Sequence, residues 1–150
     1  MISAIILTGG STRDLASILS ALVPAAVDGL VRQVVVVAGD ADETVAAICE
    51  DAGAEILPDL MSAGAGARAD LLLVLPEDLR LRPGWDESVR RHLEGEGGRA
   101  LVCESDPGLI QRLLPPRKAG VLLDKARFEK LRPTAMDDLR RGLGGAVRLS

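Results

Sequence analysis

The chain has 150 residues, of which 47% are apolar, and it carries a formal net charge of −4. This length and apolar content predict a single folded domain with a buried core and exclude a disordered chain. The acidic balance disfavours a partner with a phosphate backbone, so we expect no nucleic-acid ligand. One tryptophan and one phenylalanine cannot form the aromatic platform on which single-stranded nucleic acids stack.

The first ten residues contain an apolar run without a preceding basic region, and this run is too short for a signal peptide. No segment reaches the roughly 18 apolar residues that a membrane span needs. Cys49 and Cys103 are far apart in sequence, which is typical of buried cysteines in a reduced, cytoplasmic protein. His92 has no metal-ligand companions nearby in sequence, so a zinc site of the usual Cys/His kind is excluded.

Strands and helices alternate from the N-terminus. We predict a strand over residues 3–7, followed by a helix that Ser11 caps and Pro24 ends. Residues 33–37 form a second strand, whose four consecutive valines are typical of a strand buried on both faces. The apolar face of the first helix has helical spacing and consists of Leu15, Ile18, Leu19 and Leu22.

A second helix is indicated by the capping-box spacing of Asp40 and Glu43 and by Gly53, which suits a helix C-terminus. A third strand follows over residues 54–57. Residues 59–69 are rich in alanine and glycine and have weak helical character. We then predict a fourth strand over 71–75, a helix over 85–93 with a charge pattern that matches the helix dipole, and a fifth strand over 100–103.

Beyond Pro107 the pattern loosens into an apolar segment over 109–114, a short strand over 121–123 and a helix over 124–131. Thr134 is the predicted cap of a last helix, and residues 146–149 form a final strand. This alternation with short connections predicts an α/β fold with three α/β/α layers and a mostly parallel sheet.

The fourth strand runs directly into Pro76, Glu77 and Asp78. Open α/β proteins bind their ligands at the carboxyl edge of the sheet, where these side chains are expected to lie. Adjacent carboxylates at this edge can hold a divalent cation. The alternative is a solvated acidic turn without chemistry.

The segment that follows, Leu-Arg-Leu-Arg-Pro-Gly-Trp over residues 79–85, resembles the segment after the D-x-D motif of family 2 glycosyltransferases. The resemblance implies the Rossmann-like GT-A fold of nucleotide-diphospho-sugar transferases, with Mg²⁺ or Mn²⁺ as cofactor. It implies Asp78 as a metal ligand and Glu77 as a helper, with a nucleotide-sugar donor and a hydroxyl acceptor. Pro76 departs from the motif, because it stands where the family has a carboxylate or an imidazole.

Met136, Asp137 and Asp138 resemble the Glu-Asp pair of the same family, which implies Asp138 as the general base with Asp137 beside it. The residues alone leave another interpretation open. Asp137 follows Thr134 at the spacing that completes a helix cap, and Asp138 is placed to pair with Arg141.

The nucleotide site departs further from the family pattern. Ala38 stands where the family has an aspartate, and Asp40 can replace that residue only with a shifted loop. The resemblance places Asp40 near the nucleotide, together with the loop formed by Thr8, Gly9, Gly10 and Ser11.

Two other functions stay open. The Thr8–Ser11 loop with Arg13 also resembles the L-A-G-G-x-x-x-R loop of molybdenum-cofactor guanylyltransferases, which wraps a triphosphate with backbone N–H groups. Here the loop is one residue short and lacks the usual lysine. The second alternative is a non-catalytic relative that serves as a binding or interaction module. The sequence does not identify the donor sugar, the nucleotide base or the acceptor. It also leaves the oligomeric state open, and a homo-oligomer is one possibility.

Overall fold

One seven-stranded sheet with helices on both faces organises the part of the chain that the structure, a computed structural model, describes: residues 1–95, 97–104, 118–143 and 146–149. The predicted apolar segment over 109–114 lies outside these residues. The elements in chain order are β1 (Ile2–Leu7), α1 (Thr12–Val27), β2 (Val31–Val37), α2 (Glu43–Ala52), β3 (Glu55–Leu57), α3 (Leu60–Gly66), β4 (Leu71–Pro76), α4 (Trp85–Glu94), β5 (Ala100–Cys103), β6 (Ala119–Asp124), α5 (Lys125–Leu131), α6 (Met136–Arg141) and β7 (Val147–Leu149).

The strand order is β3-β2-β1-β4-β6-β5-β7. Strand β6 runs antiparallel to both of its neighbours, and the other pairs are parallel, which confirms the predicted mostly parallel α/β sheet. The chain passes from β1 to β2 and β3 on one side and then returns to place β4 on the other side of β1. The topological switch point, where such sheets bind ligands, therefore lies between the carboxyl ends of β1 and β4.

Alternation along β4 builds both halves of the core. Leu73 and Leu75 pack on one face with α1, α2 and α4, whereas Leu72 and Val74 pack on the other with α3, α5 and α6. Because both faces are covered by helices, the strand is apolar at every position, and the predicted three layers are confirmed. No helix among the described residues combines the length and the apolar character needed to cross a bilayer.

Helix ends show where local sequence signals hold and where they fail. Ser11 caps α1 as predicted, since its hydroxyl oxygen accepts a hydrogen bond from the Asp14 N–H at 3.2 Å. Gly53 ends α2 in the left-handed conformation with φ 70°, also as predicted. The predicted Asp40 cap is wrong. Asp42 caps α2, because it lies directly before the first helical residue and its carboxylate accepts the Val45 N–H at 2.9 Å.

Pro24 does not end α1, contrary to prediction, and the helix continues to Val27. A proline inside a helix removes one backbone hydrogen bond and normally breaks the helix. Here Ala25 remains fully buried. The indole N–H of buried Trp85 also donates to the Ala21 carbonyl at 3.2 Å, in the turn before the proline. The burial of this part of α1 in the core, to which Trp85 of α4 contributes, therefore outweighs the interruption that the sequence alone predicts.

Candidate active site at the carboxyl edge

The loops after β1, β2 and β4 converge at the switch point. The Glu77 N–H donates to the Leu7 carbonyl at 3.0 Å, which joins the end of β4 to the end of β1. The Thr8 hydroxyl donates to the Val37 carbonyl at 2.6 Å, which joins the end of β1 to the end of β2. The fold thus brings the predicted Thr8–Ser11 loop and the Glu77-Asp78 pair to one place.

Asp78 presents its carboxylate to solvent at this edge. Its side chain is 49% exposed, and its Oδ2 lies 3.3 Å from the Lys118 Nζ. Lys118 directly precedes β6, which begins at this edge because it runs antiparallel to β4. Sequence reasoning missed this lysine, since an apolar pattern predicts a strand but not its direction in the sheet.

Glu77 has a different environment from its neighbour. It is only 6% exposed, and its Oε1 accepts the Ser11 N–H at 2.8 Å. A Cβ atom at Gly9 would lie 3.1 Å from the same oxygen, so the loop packs closely on the carboxylate. The two adjacent carboxylates therefore lie in different environments, one buried and one exposed. The role of Glu77 as a helper in metal binding stays a prediction.

Arg80 is a second residue that sequence reasoning did not single out. Its guanidinium donates to the Ser17 hydroxyl at 3.1 Å and to the Asp14 carboxylate at 3.3 Å, both on α1. Its N–H donates to the Glu104 carboxylate at 2.9 Å, just beyond β5. These contacts fix the turn after Asp78 between α1 and β5.

The remaining predicted nucleotide residues lie on the neighbouring turns. Asp40 is exposed in the turn after β2, and Gly10 has φ 94°, a conformation that favours glycine. Their role toward a nucleotide stays a prediction. Within the described ranges, no three His, Cys, Asp or Glu side chains are grouped so that they could hold a metal. A single exposed carboxylate still fits Mg²⁺, which is commonly held by one or two carboxylates together with water and substrate phosphates.

Asp138 is engaged in capping α6. Its Oδ2 accepts the N–H and the hydroxyl of Thr134, both at 3.0 Å, and the Ala135 N–H at 3.3 Å. The predicted Thr134 cap is wrong, because Ala135 is the N-cap residue. Asp138 rather than Asp137 supplies the capping carboxylate, and it also pairs with Arg141 at 3.3 Å as the residues alone suggested.

These contacts lower the basicity of Asp138. The hydrogen bonds from Thr134, with smaller effects from Ala135 and Arg141, hold the pKa of the Asp138 carboxyl below its usual value. Asp137 is 78% exposed and lies 3.6 Å from Arg140. Arg140 in turn donates to the Ala119 carbonyl at 3.2 Å, so α6 is tied to the residue next to Lys118.

The lowered pKa of Asp138 predicts a pH-dependent contribution to stability. A carboxyl with a folded-state pKa below its unfolded value stabilises the fold above about pH 4 and loses this contribution as the pH falls through the folded pKa. We expect Asp138→Asn to lower the melting temperature near neutral pH. The melting temperature of this variant should also decrease less than that of the wild type as the pH is lowered. Thermal melts across that range test this, with Asp137→Asn as control. Equal acid slopes for wild type and Asp138→Asn would contradict the prediction.

No family model matches this sequence, and no curated protein is significantly similar to it. Solved structures are similar in fold. Mannosyl-3-phosphoglycerate synthase from Rubrobacter xylanophilus superimposes with a TM-score of 0.66 at 19% identity, over 99% of this chain and 64% of its own. Glucosyl-3-phosphoglycerate synthase from Mycobacterium tuberculosis, solved with UDP, superimposes with a TM-score of 0.70 at 17% identity, over 99% of this chain and 69% of its own.

A nucleotidyl transferase from a Methanothermobacter species is also similar, with a TM-score of 0.62 at 16% identity, over 100% of this chain and 88% of its own. At these identities the likeness establishes the fold. The chain has the GT-A fold of nucleotide-sugar transferases, as the sequence resemblance implied. It spans less than two thirds of the length of the Rubrobacter enzyme.

Proposed function

We propose that this chain binds a nucleotide-diphospho-sugar together with a divalent cation at the carboxyl edge of its sheet and transfers the sugar to a hydroxyl acceptor. The observation that carries the proposal is the position of Asp78, an exposed carboxylate at the topological switch point of a GT-A fold. The Mycobacterium tuberculosis glucosyl-3-phosphoglycerate synthase, which shares this fold, has been solved with Mn²⁺ and UDP.

In this proposal, Asp78 is the protein ligand of Mg²⁺ or Mn²⁺, and the diphosphate supplies further oxygen ligands. The cation would neutralise the charge that develops on the nucleoside diphosphate as the bond to the sugar breaks. The Lys118 ammonium, 3.3 Å from Asp78, adds a positive charge at the same place. The Thr8–Ser11 loop and Asp40 would flank the nucleotide.

The acceptor hydroxyl must lose its proton as its oxygen attacks the sugar. Asp138 carries hydrogen bonds that lower its pKa, which makes it a weaker base than an ordinary carboxylate. Asp137 lies beside it and is exposed. We therefore propose Asp137 as the proton acceptor and Asp138 as the residue that fixes the start of α6.

Nucleotide binding tests the proposal directly. We expect UDP or GDP at millimolar concentration to raise the melting temperature with Mn²⁺ present, because a ligand that binds only the folded state stabilises it by mass action. Mn²⁺ alone and nucleotide with EDTA are the matched controls. If no nucleotide shifts the melting temperature with Mn²⁺, the proposed function is wrong.

A nucleotidyltransferase is the second candidate, and the nearly full-length match to the Methanothermobacter nucleotidyl transferase favours it. The products distinguish the two activities. A nucleotidyltransferase releases pyrophosphate from a nucleoside triphosphate, whereas a sugar transferase releases a nucleoside diphosphate from a nucleotide sugar. A chain that binds nucleotide with metal and releases neither product would be the non-catalytic binding module, which Ala38 and Pro76 favour.

A further inference from the structure

We propose that Glu77 is a positioning residue that keeps phosphate away from the N-terminus of α1, so that the site accepts a nucleoside diphosphate in preference to a triphosphate. The preference between nucleotides rests on the proposed function. The exclusion of phosphate from the helix end does not, because it follows from the contacts of Glu77 alone.

The carboxylate of Glu77 is enclosed by the loop that a phosphate would need. It is buried, its Oε1 accepts the Ser11 N–H at 2.8 Å, and the Gly9 backbone packs against the same oxygen. The Glu77 N–H is also fixed, at 3.0 Å from the Leu7 carbonyl. Side chain and backbone are thus each held by a hydrogen bond, and the carboxylate cannot turn away without breaking its bond to the Ser11 N–H.

The position of Glu77 matters because a helix N-terminus attracts anions. The first turn of a helix carries partial positive charge and unsatisfied N–H groups, which is why phosphates bind there. In this chain the Ser11 N–H is taken by Glu77 and the Asp14 N–H by the Ser11 hydroxyl. Asp14 adds a second carboxylate in the same turn. Arg80 pairs with Asp14 at 3.3 Å, so the Glu77 carboxylate is the main repulsive charge. A phosphate at this helix end would lose the Ser11 donor and face that carboxylate.

The phosphates of a bound nucleotide are therefore confined to the Asp78 side of the switch point. The resemblance to guanylyltransferases implied that Thr8–Ser11 wraps a triphosphate, but in this loop the Ser11 N–H is already bound to the protein's own carboxylate. In this chain Glu77 therefore favours a sugar transferase over a nucleotidyltransferase.

Inorganic pyrophosphate is the direct probe, because it tests the helix end without a nucleotide. We expect titration followed by NMR to leave the Ser11 amide signal of the wild type unmoved and to shift it in Glu77→Gln. The neutral amide keeps the size of the side chain and removes its charge, so pyrophosphate should bind about tenfold more tightly. Glu50→Gln, which removes an exposed carboxylate from α2, should behave like the wild type.

Two results would overturn the role of Glu77: a Ser11 shift of equal size in the wild type, or no shift in either protein. If Glu77→Gln does not fold, the same pyrophosphate titration is carried out on Glu77→Ala, which removes the carboxylate altogether. With nucleotides, Glu77→Gln should raise the affinity for UTP relative to UDP about tenfold. A wild type that binds no nucleotide with Mn²⁺ refutes the proposed function, whereas the pyrophosphate titration still decides what Glu77 does.

Discussion

An Asp78→Asn variant should lose metal-dependent nucleotide binding. The amide cannot supply the anionic oxygen that a hard divalent cation prefers, and within the described part of the chain no cluster of acidic residues stands ready to replace it. We expect UDP affinity in Mn²⁺ to fall more than about tenfold, to the level that the wild type shows in EDTA. Isothermal titration with and without Mn²⁺ measures the effect.

One control and one further variant extend this experiment. Asp51→Asn removes an exposed carboxylate from α2 and should leave binding unchanged. Lys118→Met removes the ammonium that lies 3.3 Å from the Asp78 carboxylate, so Mn²⁺ should bind more tightly to this variant. Metal-dependent binding that survives in Asp78→Asn, or wild-type binding that never depended on metal, would show that Asp78 does not hold the cation.

Gly64→Ala should destabilise the fold, although alanine normally favours a helix over glycine by about 1 kcal/mol. Gly64 lies in α3 against the ring of Phe128, a fully buried residue of α5. A Cβ atom there would overlap Cε1 of the ring and lie 2.8 Å from Cδ1. Because the ring is enclosed, the backbone must shift, at a cost of about 1–3 kcal/mol in unfolding free energy.

Gly66→Ala is the matched control in the same helix. Its Cβ would meet only the end of the Leu57 side chain, at 3.2 Å, and this methyl group can move. Urea denaturation should therefore show a loss for Gly64→Ala and little change for Gly66→Ala. Adding Phe128→Leu to Gly64→Ala should recover part of the loss relative to Phe128→Leu alone. Equal stability of the two alanine variants would refute the packing of Phe128 on α3.

Much of the fold could be predicted because its signals are local. The apolar residues of β4 and the spacing of Leu15 and Leu22 along α1 depend only on neighbours in sequence, and the structure buries them as predicted. Ser11 and Gly53 were predicted correctly as helix ends because capping also depends on residues close in sequence. The failures at Pro24 and Asp40 have two causes. Burial of Leu22 and Ala25 in the core favours a continued helix across Pro24, and a better-placed aspartate two residues along the chain replaces Asp40.

The candidate site was predicted in part. The sequence alone placed the carboxylates of Glu77 and Asp78 at the carboxyl edge of a parallel sheet, because a buried strand ends directly before them. Only the tertiary structure showed that the two carboxylates have different environments. Ser11, which lies 66 residues from Glu77 in sequence, takes one carboxylate, and Lys118 pairs with the other. Such contacts depend on how strands are ordered and directed in the sheet, and no local pattern of residues encodes that order.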